Sequence, residues 1–119
     1  MHRAGIIGAI LFVTAAPAAA QLVSAALIYP PAELKAGIQG VVTFEVEVTK
    51  DGKVSKCKTT QTSGNADLDK QTCVQLRQTG RFKPAVDPTG RPIKSTYVSK
   101  VRWSIPHPAS ETQRAAAPQ

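Results

Sequence analysis

Cys57 and Cys73 are the residues whose chemistry most constrains this chain. A thiol–disulfide catalyst needs the short C-x-x-C spacing, in which a helix terminus stabilises the thiolate. Here the two sulfurs are far too distant in sequence for that. A structural zinc site needs four ligands, and only His107, in a Pro-containing tail, could join the two cysteines. The remaining uses are one structural disulfide in an oxidising compartment or a pair of buried free thiols. The next candidates are Glu45 and Glu47, two residues apart. Paired carboxylates do acid–base work only in a pocket that perturbs their pKa values. Lys56 and Lys58 on one side, and Lys100 and Arg102 on the other, offer them exposed cross-strand partners instead. No nucleophile–base pair or metal-ligand set follows. The chain is expected to be no enzyme and to hold no cofactor or metal.

The N-terminus sets the compartment. A basic start, His2-Arg3, precedes an apolar stretch from Ile6 to Ala16, then Pro17 and the small run Ala18-Ala19-Ala20. This order is that of a secretory signal over residues 1–20, with an A-x-A pattern predicting Gln21 as the new N-terminus. The alternative is an uncleaved inner-membrane anchor, because only Thr14, Gln21 and Ser24 are polar between Ala4 and Ile28. An exported protein in the periplasm is expected either way, with oxidised cysteines. The whole chain carries 15 Lys+Arg against 8 Asp+Glu. Loss of Arg3 leaves the rest cationic, which suits an anionic partner such as peptidoglycan or lipid headgroups. Aromatic content of 5% and the lack of a basic–aromatic motif argue against nucleic acid.

Few elements remain to position these residues. Residues 21–28 form a lead-in, Tyr29-Pro30-Pro31 a rigid entry, and Ala32 to Ala36 one helical turn ended by Gly37. After Gly40, Val42, Phe44, Val46 and Val48 alternate with Thr43, Glu45, Glu47 and Thr49, a strand with one buried face. Lys50-Asp51-Gly52 turns the chain into a second strand, Lys53 to Thr60. Val54 and Cys57 are three apart there, which predicts a β-bulge near Ser55 or Lys56. Asn65 is the expected N-cap of a helix whose inner face is Leu68, Thr72, Cys73 and Leu76, closed by Gly80 in a left-handed cap. Cys57 on the sheet and Cys73 on the helix then both face inward, and a bond between them would pin one to the other. An irregular connection runs from Arg81 to Pro92. The last strand, Ser95 to Ile105, puts Tyr97, Val101, Trp103 and Ile105 on one face, and Val98, Lys100 and Arg102 on the other. Residues 107–119 read as a disordered tail.

The series Tyr29-Pro30, Gly40-Val41-Val42, Asp51-Gly52-Lys53-Val54, Ser63-Gly64, Leu68-Asp69, Arg81-Phe82-Lys83-Pro84-Ala85 and Trp103 resembles the TonB C-terminal domain over residues 29–106. The resemblance implies an α+β fold, short helix-β-β-α-β, with a three-stranded antiparallel sheet and the long helix on one face. It implies a non-enzymatic periplasmic protein in TonB-dependent transport. Such a protein binds the TonB box of an outer-membrane receptor as an extra strand beside its last strand. Here that edge comprises Ser95, Thr96, Tyr97, Val98, Ser99, Lys100, Val101 and Arg102. The pattern departs from the best-known transducers in two respects. Residues 21–28 span only about 25–30 Å when extended, too short to bridge a periplasm, and no Ser or His lies inside the apolar stretch at a motor-coupling position. The box-binding half of the family role is therefore expected without the energy-transducing half. The alternative expectation is a cell-envelope module whose cationic face, Lys56, Lys58, Lys100 and Arg102, contacts peptidoglycan or anionic lipid. Either reading is compatible with a homodimer.

Overall fold

The computed structural model describes residues 16–106. The apolar stretch of the expected leader up to residue 15, His107 and the expected disordered tail lie outside them. Along the chain run β1 (Gln21–Ser24), α1 (Pro31–Ala36), β2 (Gly40–Val48), β3 (Val54–Gln61), α2 (Ala66–Thr79), β4 (Arg81–Lys83), β5 (Ala85–Val86), β6 (Pro92–Ile93) and β7 (Ser95–Trp103). The main sheet is antiparallel in the order β3-β2-β7, and α2 packs against β2 and β3. This is the α+β arrangement expected.

The strict alternation of β2 explains the core. Val42, Phe44, Val46 and Val48 are all buried, and Leu68, Thr72, Cys73 and Leu76 of α2 are buried too. Asn65 caps α2 by accepting a hydrogen bond from the Leu68 N–H at 2.8 Å. Trp103 closes one end of the core. Its Nε1 donates to Thr72 Oγ1 at 2.8 Å, and that hydroxyl donates to the Leu68 carbonyl at 2.7 Å. A buried indole N–H and a buried threonine thereby satisfy each other. Tyr29 meets Trp103 edge-on with ring centroids 5.2 Å apart, and Tyr97 meets Phe82 in the same way at 4.9 Å. Trp103 is a core residue and Tyr97 packs half-buried against the core, as their phase on β7 predicts.

Cys57 and Cys73 form the expected disulfide, with Cα atoms 5.4 Å apart. The bulge expected near Ser55 or Lys56 is present. Val48 pairs with Val54 and Glu47 with Lys56, so Ser55 is the extra residue. A second bulge was not legible: Phe44 pairs with Thr59 but Thr43 with Gln61, leaving Thr60 over.

Three local expectations need correction. Gly80 ends α2 in an extended conformation (φ −65°, ψ 132°), not a left-handed one. Glycine is required there by close approach, since a Cβ would lie 2.6 Å from the Leu76 carbonyl oxygen. The connection after Gly80 is not irregular. β4 pairs with β1, and β5 pairs with β6. The start of the lead-in is thus a strand, with Gln21 opposite Lys83 and Leu22 opposite Phe82. The turn after β2 also docks on β4: the Phe82 N–H donates to the Gly52 carbonyl at 2.7 Å. Gly52 has φ +81°, and a Cβ there would sit 2.2 Å from the Phe82 carbonyl oxygen. The rest of the lead-in is held by α2 side chains. Gln75 bonds both the N–H and the C=O of Ile28, and Thr79 does the same for Ala26.

Candidate functional site: the free edge of β7

β7 pairs with β2 in one unbroken register, from Val48 opposite Ser95 to Gly40 opposite Trp103. No described strand lies on its other side. Which of its backbone groups face outward follows from two hydrogen bonds. The Thr49 N–H donates to the Lys53 carbonyl at 2.8 Å, so Thr49 points toward β3. Successive residues of a strand point to alternate sides in the plane of the sheet. Val48, Val46, Phe44, Val42 and Gly40 therefore point toward β7, and their partners Ser95, Tyr97, Ser99, Val101 and Trp103 point back. The Ile105 N–H, of the same parity, donates to Gln39 Oε1 at 2.7 Å and agrees. The N–H and C=O groups of Thr96, Val98, Lys100 and Arg102 consequently form a row with no strand partner among the described residues. Their side chains stand on the exposed outer face of the sheet, where Val98 is 58% exposed.

The outer face carries the charged residues in a different pairing from the one expected. Lys58 pairs with Glu45 at 3.9 Å, but Glu47 pairs with Lys94 at 3.8 Å, a residue that sequence reasoning missed. Lys100 lies opposite Thr43 and Arg102 opposite Val41, so neither is placed to pair with Glu45 or Glu47. The register decides this, because Glu45 and Glu47 face Val98 and Thr96 across the same strands. Glu47 also accepts a 2.6 Å hydrogen bond from Ser55 Oγ. That bond, with Lys94 and Lys56 nearby, holds its carboxyl below the usual range despite partial burial. An acid held ionised in this way is a poor proton donor or acceptor near neutral pH. An open hollow of about 570 Å³ lies over these residues, lined by both signs of charge. Among the described residues no three His, Cys, Asp or Glu side chains gather as metal ligands.

Two carboxylates away from this face have shifted pKa values. Burial pushes Asp69 up, but hydrogen bonds from Thr62 Oγ1, the Ser63 N–H and Ser63 Oγ outweigh it and hold the group low. Asp69 thereby fastens the chain as it leaves β3; the Thr and Ser upstream of α2 were the signal for it. Glu33 of α1 is raised, first by the neighbouring Asp67 carboxyl and then by burial, and its buried Oε1 has no hydrogen-bond partner among the described residues.

A family model described as the Gram-negative bacterial TonB protein C-terminal matches residues 25–105. The chain belongs to the TonB C-terminal family. The solution NMR structure of the Pseudomonas aeruginosa TonB C-terminal domain has the same fold. It superposes with a TM-score of 0.57 at 20% identity, covering 74% of this chain and 88% of that one. No curated protein matches the chain in sequence. TonB C-terminal domains are non-catalytic and interact with outer-membrane receptors, and membership supports a TonB-like role in TonB-dependent transport. The TonB family is envelope-associated, and no helix among the described residues is long and apolar enough to cross a membrane. In this TonB-like domain, the edge predicted from Ser95 to Arg102 lies on one continuous strand. The four cationic residues Lys56, Lys58, Lys100 and Arg102 share a face but not a cluster, because Glu45 and Glu47 stand among them.

Proposed function

We propose that this chain is a non-enzymatic periplasmic module that binds an extended segment of a TonB-dependent outer-membrane receptor, its TonB box, by strand addition along β7. One observation carries the reading: the free side of β7 is a continuous row of backbone groups, at Thr96, Val98, Lys100 and Arg102, with no strand partner among the described residues. Backbone hydrogen bonds supply affinity in this mode, and side-chain pockets on alternate positions supply selectivity. Lys100 and Arg102 stand beside residues without charge, so an incoming strand with an acidic side chain on the outer face gains a cross-strand ion pair there. No cofactor takes part.

The test is an NMR titration with a TonB-box peptide from a receptor encoded in the same genome. The amide signals of Thr96, Val98, Lys100 and Arg102 are expected to shift and to become protected from exchange. Val98→Pro removes an outward N–H without touching the bonds to β2 and should abolish binding. The second reading, a cell-envelope module on the cationic face, draws on the uncompensated charge of Lys100 and Arg102. Shifts confined to the side chains of Lys56, Lys58, Lys100 and Arg102, and lost in moderate salt, would replace strand addition with that reading.

A further inference from the structure

Two overlapping A-x-A patterns end the apolar leader, Ala16-Pro17-Ala18 and Ala18-Ala19-Ala20. The second of these is the one from which the sequence predicts Gln21 as the new N-terminus, but both offer small residues at the two positions that a signal peptidase reads. The fold treats them differently. Ala20 is buried, with 7% of its surface exposed, in the same core cluster as Phe44, Phe82 and Ala85. It leads directly into β1, whose register on β4 begins at Gln21 opposite Lys83. Ala16 to Ala19 are exposed. Ala18 is joined to the domain by two backbone hydrogen bonds with Val86, at 3.1 and 3.0 Å.

We infer that the leader is cut between Ala18 and Ala19, so that Ala20 stays in the mature protein as part of its core. This goes beyond the binding role proposed above and rests only on the export reading. A cut after Ala18 removes one exposed bridge, and water can replace its two bonds at Val86, which is itself partly exposed. A cut after Ala20 removes a buried side chain from among large apolar neighbours and leaves a gap there. The A-x-A pattern nearer the domain is therefore part of the domain, and the pattern before it is the processing site.

The experiment is to export the full chain in a Gram-negative host, recover it from the periplasm, and determine its N-terminal residue and intact mass. Ala19 as the first residue is the expected result. Gln21 as the first residue overturns the inference while leaving export intact. Met1 retained on a membrane-bound chain overturns both the cut and the cleaved-leader reading. A second variant keeps the two patterns distinct: Ala16→Asp spoils only Ala16-Pro17-Ala18 and is expected to lose the Ala19 N-terminus, the cut moving to Gln21 or uncut precursor accumulating. Unchanged processing of Ala16→Asp would assign the cut to the other pattern.

Discussion

The main sheet has two outer strands, and they are built in opposite ways. β3 is interrupted twice, at Ser55 and Thr60, and each extra residue turns its hydroxyl back onto β2. Ser55 reaches the carbonyl and carboxylate of Glu47, and Thr60 reaches the carbonyl of Thr43. Lys53, Lys56 and Lys58 line β3, the disulfide ties it to α2, and Asp69 fastens the chain beyond its end. β7 also carries cationic residues, Lys100 and Arg102, but its pairing with β2 has no bulge and no disulfide joins it. It keeps nine residues in one register with β2 and presents every second backbone unit outward. Bulges, lysines and tight anchoring are the means by which proteins close an edge to unwanted pairing. Among the described residues neither edge has a neighbouring strand, and the interruptions fall on the β3 side alone, which favours β7 as the edge for the proposed strand addition.

Two proline substitutions break the comparison most directly. Ser99→Pro removes an N–H that points to Phe44 within the β2–β7 ladder and should cost about 3 kcal/mol or more, enough to unfold a marginal domain. Val98→Pro, one residue away, should leave the melting transition nearly unchanged while peptide binding is lost. Equal destabilisation by the two would mean that the outward row has been assigned to the wrong residues. The disulfide comes next. Replacing both cysteines by serine should lower stability by about 3 kcal/mol in the chain-entropy picture, measurable by urea unfolding. Hydrogen exchange should then accelerate in β3 far more than in β7.

Asp69 offers a pH-dependent handle on the closed edge. Its folded pKa lies below the ordinary value of 3.8, so its contribution to stability is full above that value. The contribution falls as pH drops through the folded pKa. Asp69→Asn should therefore destabilise at neutral pH, and the gap to the wild type should narrow in acid; melting curves across that range check the sign. Glu33 has the opposite sign. Its raised pKa makes ionised Glu33 a liability above about pH 4.5, so Glu33→Gln should hold or raise stability at neutral pH. The smallest effects belong to the outer face. Glu45→Gln and Glu47→Gln should each change stability by no more than about 1 kcal/mol and leave peptide binding intact. A larger loss of binding would move the site from the β7 backbone to the charged face.

Much of this was legible in the chain. The alternation from Val42 to Val48, the helical spacing of Leu68, Thr72, Cys73 and Leu76, the Asn65 cap and the bulge beside Ser55 are all local patterns. Each depends on neighbours in sequence, so the sequence carries them whole. The pairing of Cys57 with Cys73 followed because two such patterns turn both sulfurs inward. Other features depend on contacts between distant segments. At the extended end of α2 a Cβ on Gly80 would meet Val54 of β3 at 3.2 Å, a contact that no cap rule contains. The ladder between β1 and β4 joins residues some sixty positions apart, and neither strand is long enough to announce itself. Register across β2 and β7 decided that Lys94, rather than Lys100 or Arg102, meets Glu47. The same register determined which side of β7 is free, because a one-residue slip would exchange the inward and outward backbone groups. Composition and periodicity determined the elements and their buried faces; only the tertiary pairing decided which edge stays open and which alanine belongs to the core.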